Sequence, residues 1–200
     1  NETEGVTVNP SPVVGVVGVA DIGHVRTMDF KKEGDKILVI GWTYNELDGS
    51  EYHRTVHGLV QGSAPQIRID EEIKSAHSIL ELVKDDSQGN ITAIHDCSAG
   101  GIGIALSEMA IKSGMGAVVD LSLAPREDST EFETMLSESH ARYIVTVDSD
   151  AIDEVLEKIN APCSVIGEVK GTRLVMDELL DIEVKKLQKA YAGVIEKFMA

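Results

Sequence analysis

Apolar positions in this chain fall into short blocks, and the spacing inside each block predicts an element. Lys36–Trp42 carries Ile37, Leu38, Val39 and Ile40 in succession behind a Glu33-Gly34-Asp35 turn, the pattern of a strand covered on both faces. Val13–Ala20, set off by Pro10-Ser11-Pro12, reads as another buried strand. Ser50 to about Val60 is a short helix, and Asp70–Lys84 a stronger one. In the latter Ile73, Ala76, Leu80 and Val83 fall on one face, while Asp70, Glu71 and Glu72 suit a positive helix start. Ile91–Ile94 is a strand, Ile102 to about Ser113 a helix closed by Gly114, and Met115–Leu123 a strand. Ser129–Glu138 reads as helix and Ala141–Val147 as strand. Asp150–Ile159 is a helix with Ile152, Val155, Leu156 and Ile159 on one side. Ser164–Lys170 and Arg173–Met176 form a hairpin around Gly171, and a last helix runs from about Ile182 to Phe198 with Leu187, Tyr191, Val194 and Phe198 as its buried stripe. Alternation of this kind, without a strict repeat, predicts an α/β or α+β fold: a mixed β-sheet layered with helices.

Composition narrows the functional classes. Two hundred residues, 42% of them hydrophobic, suffice for a substantial core. No apolar run reaches the roughly eighteen residues a membrane helix needs, so no membrane partner is expected. The opening Asn1-Glu2-Thr3-Glu4 is acidic, unlike a signal peptide, which leads to an expectation of a cytoplasmic location. The chain starts without Met, inside what reads as an interrupted element, so it is expected to be part of a longer polypeptide. Cys97 and Cys163 are too few and too far apart for a disulfide framework or a cysteine zinc site. A net charge of −16, from 34 acidic and 18 basic residues, argues against nucleic acid as a partner. A phosphorylated ligand would need backbone amides or a divalent metal to offset that charge.

Candidate chemistry concentrates in Ile91–Ile102. A short strand delivers the polar loop His95-Asp96-Cys97-Ser98-Ala99-Gly100-Gly101, and a helix starts directly after it. Amides at a helix start lack internal partners, and paired glycines let a ligand approach the main chain. A phosphate is the natural guest, with Ser98 as donor and Asp96 as an oxygen ligand of the kind Mg²⁺ prefers. The competing reading is that Asp96 or Ser98 caps the helix while the glycines permit tight packing. Leu136-Ser137-Glu138-Ser139-His140-Ala141-Arg142 is a second polar cluster, either a rim on a ligand or a helix end with a surface ion pair. Gly49-Ser50-Glu51-Tyr52-His53 reads as a capped turn into a helix.

These segments together resemble the synthetase subunit of phosphoribosylformylglycinamidine synthase. His95–Gly101 resembles that family's His-Asp-x-Ser-Asp-Gly-Gly motif, and Ile104–Ala110 the helix that follows it. Leu136–Arg142 resembles Phe-Ser-Glu-Ser-x-x-Arg, Asn45–Tyr52 a Glu-Leu-Gly-Gly-Ser-Glu-Tyr turn, and Asn1-Glu2-Thr3 with Pro12–Gly15 the approach to the last domain. The resemblance runs in order from residue 1 to about Arg142. It implies residues 1–14 as the tail of an AIR synthase N-terminal-like domain, and 15–200 as a domain like the C-terminal domain of AIR synthase.

By the same resemblance the complete polypeptide is an ATP-dependent C–N ligase of purine biosynthesis. It converts formylglycinamide ribonucleotide to the amidine with ammonia, alongside a glutaminase subunit and a small bridging subunit. ATP or ADP and Mg²⁺ are the implied cofactors, with Asp96 on the metal and Ser98, Gly100 and Gly101 on the phosphates of a nucleotide in a second, pseudo-symmetric site. Ala99 departs from the motif, where Asp is usual, and removes one carboxylate. Glu138 and Ser139 match a substrate-contacting segment. No catalytic residue is implied here, since those lie upstream, and the 200-residue piece alone is expected to be inactive. Two other readings stand beside this one: a non-catalytic structural half, or a superfamily member of the hydrogenase-maturation, thiamine-phosphate kinase or selenophosphate synthetase type.

Overall fold

In the computed structural model, which describes residues 2, 3, 5–7 and 13–199, the run Ile37–Ile40 lies at the middle of the main sheet with all four side chains buried. Successive side chains of a strand point to opposite faces. Ile37 and Val39 enter one core cluster, Leu38 and Ile40 the other. A continuous apolar run therefore marks a strand covered on both sides.

In chain order the strands are β1 (Glu2–Thr3), β2 (Val6–Thr7), β3 (Lys36–Ile40), β4 (Thr43–Tyr44), β5 (Ile91–Asp96), β6 (Ala117–Val119), β7 (Arg126–Glu127), β8 (Tyr143–Val147), β9 (Cys163–Val169), β10 (Arg173–Met176) and β11 (Leu180–Glu183). The helices are α1 (Glu51–His57), α2 (Ile69–Asp85), α3 (Gly101–Ser113), α4 (Glu131–Leu136), α5 (Ile152–Lys158) and α6 (Val184–Met199). The main sheet has the order β11-β10-β6-β9-β3-β8-β5, and β10·β6 is its parallel pair. Residues of α3 and the start of α6 pack on one face with Ile37, Val39, Ile144, Ile166 and Leu174. Residues of α2 and α5 pack on the other, with Leu38, Ile40, Val145 and Val147. This is the mixed, helix-layered sheet that the pattern predicts.

Five expectations change. Val13–Ala20 has no regular structure and its side chains stand exposed, because no strand of the described chain pairs with it. Ser164–Lys170 and Arg173–Met176 do form strands, but not a hairpin: β6 inserts between them, so β9 pairs with β6 and β10 pairs with β6 and β11. Of the predicted stripe Ile73, Ala76, Leu80 and Val83 of α2, Ile73 and Leu80 are exposed and Ala76 and Val83 only half-buried, and the helix seats instead through Ser75, Ser78 and Leu82, with Ile79 packed beside them. In the last helix Leu187 packs but Tyr191 is exposed, and Ile182 belongs to β11; Val194 and Phe198 lie outside the described side chains. The predicted strand Met115–Leu123 shortens to β6 plus a 3₁₀ turn at Leu121–Leu123.

One buried charge bears on stability. Asp35 is fully buried beside the start of β3; its Oδ2 accepts from Thr92 Oγ1 (2.8 Å), while its Oδ1 has no partner among the described residues. Burial raises its carboxyl above the usual 3.8, with the Thr92 hydroxyl opposing. A raised native pKa means the folded chain keeps a proton that the unfolded chain releases. Stability is then lost as pH rises from about 3.8 through the native value. Asp35→Asn is expected to raise the melting temperature at pH 7 and to leave it nearly unchanged near pH 3. Thermal unfolding across that pH range checks this; an unchanged Tm at pH 7 counts against it.

Candidate functional site

Strand β5 ends at Asp96, on the edge of the sheet, and α3 begins five residues later. The Cys97 amide donates to the Arg142 carbonyl (3.0 Å), carrying the β5·β8 pairing one residue past the strand. Gly100 and Gly101 both have positive φ, 78° and 65°. A Cβ on Gly101 would sit 2.4 Å from the Ser137 carbonyl oxygen, so this glycine lets the start of α3 press against the chain leaving α4.

That close approach decides what the loop amides do. The Gly100 N–H donates to Glu138 Oε1 (2.8 Å), and the Gly101 N–H to the Ser98 carbonyl (3.0 Å). Glu138 Oε1 also accepts from the Glu51 N–H at the start of α1 (2.8 Å). The open amide cradle expected from the sequence is therefore filled from within at these two positions. The Gly100 amide is taken by a carboxylate of the chain itself, placed where two helix starts favour negative charge, and the Gly101 amide by the loop's own carbonyl.

Arg142 holds the segment that brings Glu138 there. Its buried guanidinium donates to the carbonyls of Ser137 (2.5 Å) and Ser139 (2.9 Å) and to Thr43 Oγ1 (3.0 Å). Burial pulls the group below its usual range, opposed by nearby negative charge including Glu46 and Glu138. Ser139 is also buried, its hydroxyl accepting from the Tyr44 N–H (3.1 Å). It ties the turn to β4 rather than presenting its hydroxyl as a rim.

Asp96 keeps an open aspect, with 65% of its side chain exposed. The Ser98 hydroxyl donates to its Oδ2 (3.1 Å), and His95 Nδ1 lies 3.3 Å from its Oδ1. His95 Nε2 in turn lies 2.9 Å from Glu108 Oε2 on α3. Burial pushes the Cys97 thiol up to about 11, which keeps it neutral and unreactive near pH 7.

These parts border an open cleft of about 370 Å³, lined by Asp96–Ala99, Glu138–Tyr143, Pro65 and Glu72. The structure thus brings Asp96, Ser98, Glu138 and Ser139 to one cleft, whose lining does not include Gly100 or Gly101. His140 and Arg142, from the polar cluster Leu136–Arg142, border the same cleft, and Glu72, whose Oε1 lies 3.8 Å from His140 Nδ1, joins it without a sequence signal beyond its charge. Three carboxylates face the cleft and the Arg142 charge is spent on neutral oxygens, so a bare phosphate would meet net repulsion. Among the described residues no group of three His, Cys, Asp or Glu side chains is arranged to hold a metal. Mg²⁺ commonly takes one or two carboxylates and completes its shell with phosphate oxygens and water. Asp96 fits that shared arrangement, and a metal cage made only of protein does not.

The seven-stranded mixed sheet, with helices on both faces and a polar cleft where β5 turns into α3, defines a layered α/β domain. The chain belongs to the family described as AIR synthase related protein, C-terminal domain, whose model matches residues 32–177. It is 52% identical over 201 residues to the phosphoribosylformylglycinamidine synthase subunit PurL of Methanobrevibacter smithii, covering 100% of this chain and 28% of that protein. Among solved structures it resembles Thermotoga maritima PurL complexed with FGAR (TM-score 0.70, 22% identity, 82% of this chain and 29% of that one). The same protein complexed with ATP also matches (TM-score 0.64, 22% identity, 84% and 28%). At that identity the shared fold is what the two structures establish. The chain spans little more than a quarter of the length of these relatives. Among the described residues, no helix is long and apolar enough to cross a membrane.

Proposed function

We propose that this chain is the C-terminal part of a phosphoribosylformylglycinamidine synthase synthetase subunit, an ATP-dependent C–N ligase of purine biosynthesis. One observation carries the reading: 52% identity to a PurL subunit along the whole of this chain. Residues 1–14 are assigned to the tail of the preceding AIR synthase N-terminal-like domain and 15–200 to the C-terminal-like one. The complete polypeptide would act on formylglycinamide ribonucleotide with ATP and ammonia in the cytoplasm, with a glutaminase subunit and a small bridging subunit as partners. The 200 residues alone have no synthetase activity in this reading.

Within the complete polypeptide the cleft serves as a phosphate pocket for ATP or ADP. Asp96 is the metal-side carboxylate, held in orientation by Ser98 and His95. Ser98 is the hydroxyl within reach of a phosphate oxygen. A bound Mg²⁺ would supply the positive charge that lets phosphate oxygens lie among Glu72, Asp96 and Glu138.

A second reading rests on Glu138, whose carboxylate already occupies the amides of Gly100 and Glu51. Here the loop is a structural clip joining α1, α3 and the turn after α4. Paired variants of the complete polypeptide separate the two. If the cleft holds nucleotide, Asp96→Ala releases the co-purified nucleotide, read by absorbance and chromatography of the denatured supernatant. If it is a clip, Asp96→Ala leaves both nucleotide content and Tm unchanged, while Glu138→Ala lowers Tm.

A further inference from the structure

We propose that the outward apolar stripe of α2 is an interface, covered by an amphipathic helix from the part of the same polypeptide that lies outside residues 1–200. The proposal rests on the reading of this chain as part of a longer synthetase polypeptide, but not on whether the cleft binds nucleotide.

Helix α2 seats on the core through Leu82 and Ile79 yet leaves a second apolar stripe exposed. Ile69, Ile73 and Leu80 are 66%, 50% and 53% exposed, while Ser75 and Ser78 are buried beneath the same helix. An amphipathic surface helix ordinarily turns its apolar stripe to the core. The inner face is nonetheless well anchored. Leu82 joins the core with α5 and the sheet, and Ser78 Oγ accepts from the Asn160 N–H (3.3 Å). At its start, Tyr44 Oη donates to Glu71 (2.7 Å), and Arg68 pairs with Glu46 (3.0 Å) and stacks on the Tyr44 ring. Rolling the helix to bury its isoleucines would break these contacts. The stripe is therefore held outward by the fold.

Its spacing selects the occupant. Ile69, Ile73, Ala76 and Leu80 follow one another at intervals of four, three and four residues, the a/d seam on which a second helix packs. Charges of both signs flank it, with Asp70 and Lys84 along one edge and Glu72 on the other. Mixed flanks suit a helix with its own charged edges; an anionic lipid surface would call for a basic border. The origin of that helix follows from length. The M. smithii relative matches this chain from end to end, yet the chain fills only 28% of it, so most of such a polypeptide is left to supply the cover in cis. Glu72 and Pro65, which line the cleft, lie beside the stripe in sequence. The helix that covers the stripe would also border the open side of that cleft.

The test uses the complete polypeptide. Ile73→Cys and Leu80→Cys are each reacted with a maleimide under native conditions, and labelling is read by peptide mass spectrometry. Glu157→Cys on the exposed side of α5 is the reference, and either stripe variant suffices if the other fails to fold. Both stripe cysteines are expected to label at least about tenfold more slowly than the reference, as packed positions do. Labelling as fast as the reference overturns the proposal. Protection that disappears on dilution overturns it too, since the cover would then be a second copy. A photo-crosslinker at Leu80 should capture a peptide from outside residues 1–200 of the same polypeptide. Capture of a separate subunit overturns the assignment.

Discussion

Arg142→Ala is expected to cost about 3–5 kcal/mol, a large share of the stability of a domain this size. The guanidinium is fully buried, and its removal strands the carbonyls of Ser137 and Ser139 and the Thr43 hydroxyl away from water. Each stranded acceptor costs about 1–3 kcal/mol, and the vacated volume adds a cavity penalty. Lysine would not rescue the loss. Its single ammonium cannot reproduce a planar fork that reaches three acceptors at once, and burial would favour its neutral form. Urea unfolding of wild type, Arg142→Ala and Arg142→Lys measures this directly. A loss below about 1 kcal/mol for alanine would mean that water replaces the guanidinium in those bonds. The effect should reach the cleft, because the turn that Arg142 holds also carries Glu138 to the amides of α1 and α3.

That turn also shows how far the sequence could lead. Local signals were legible. Four consecutive aliphatics gave β3 with both faces covered, Gly114 closed α3, and Ser50 capped α1 with its hydroxyl accepting from the His53 N–H. The polar motif at His95–Gly101 lies where a strand meets a helix, as its composition suggested. Long-range competition was not legible. Nothing in the loop itself says that Glu138, 38 residues away from Gly100, will take its amide. The same limit explains α2. Its apolar stripe reads as a core face, but Ser75 and Ser78 face inward, and Ser78 Oγ accepts from the Asn160 amide after α5. Val13–Ala20 carries a strand's composition but pairs with no strand among the described residues, so its pattern alone could not place it in a sheet.

Strand order was hidden for a related reason, and one glycine tests the account of it. Gly116→Ala is expected to destabilise the domain by roughly 3 kcal/mol, at the upper end of overpacking costs. Between β9 and β10 the chain turns at Gly171 and closes over Gly116. The Gly116 N–H donates to the Gly171 carbonyl (2.7 Å), and the Lys170 N–H to the Gly116 carbonyl (3.0 Å). A Cβ on Gly116 would lie 2.1 Å from the Arg173 carbonyl oxygen and 2.4 Å from its amide nitrogen. Both are backbone atoms at the start of β10, so no rotamer change relieves the overlap. Relief requires β10 to move away from β6, loosening the parallel pairing of Leu174 with Ala117 and exposing Leu174 and Met176, now fully buried. Gly114→Ala, two residues earlier, is the control. It has a positive φ of 77° but nothing within 4 Å of the added carbon, so it should cost only the left-handed strain of about 1 kcal/mol. Hydrogen exchange should separate the pair: the β10 and β11 amides lose protection in Gly116→Ala and keep it in Gly114→Ala. Equal protection in both would show that β6 does not depend on this contact for its place between β9 and β10.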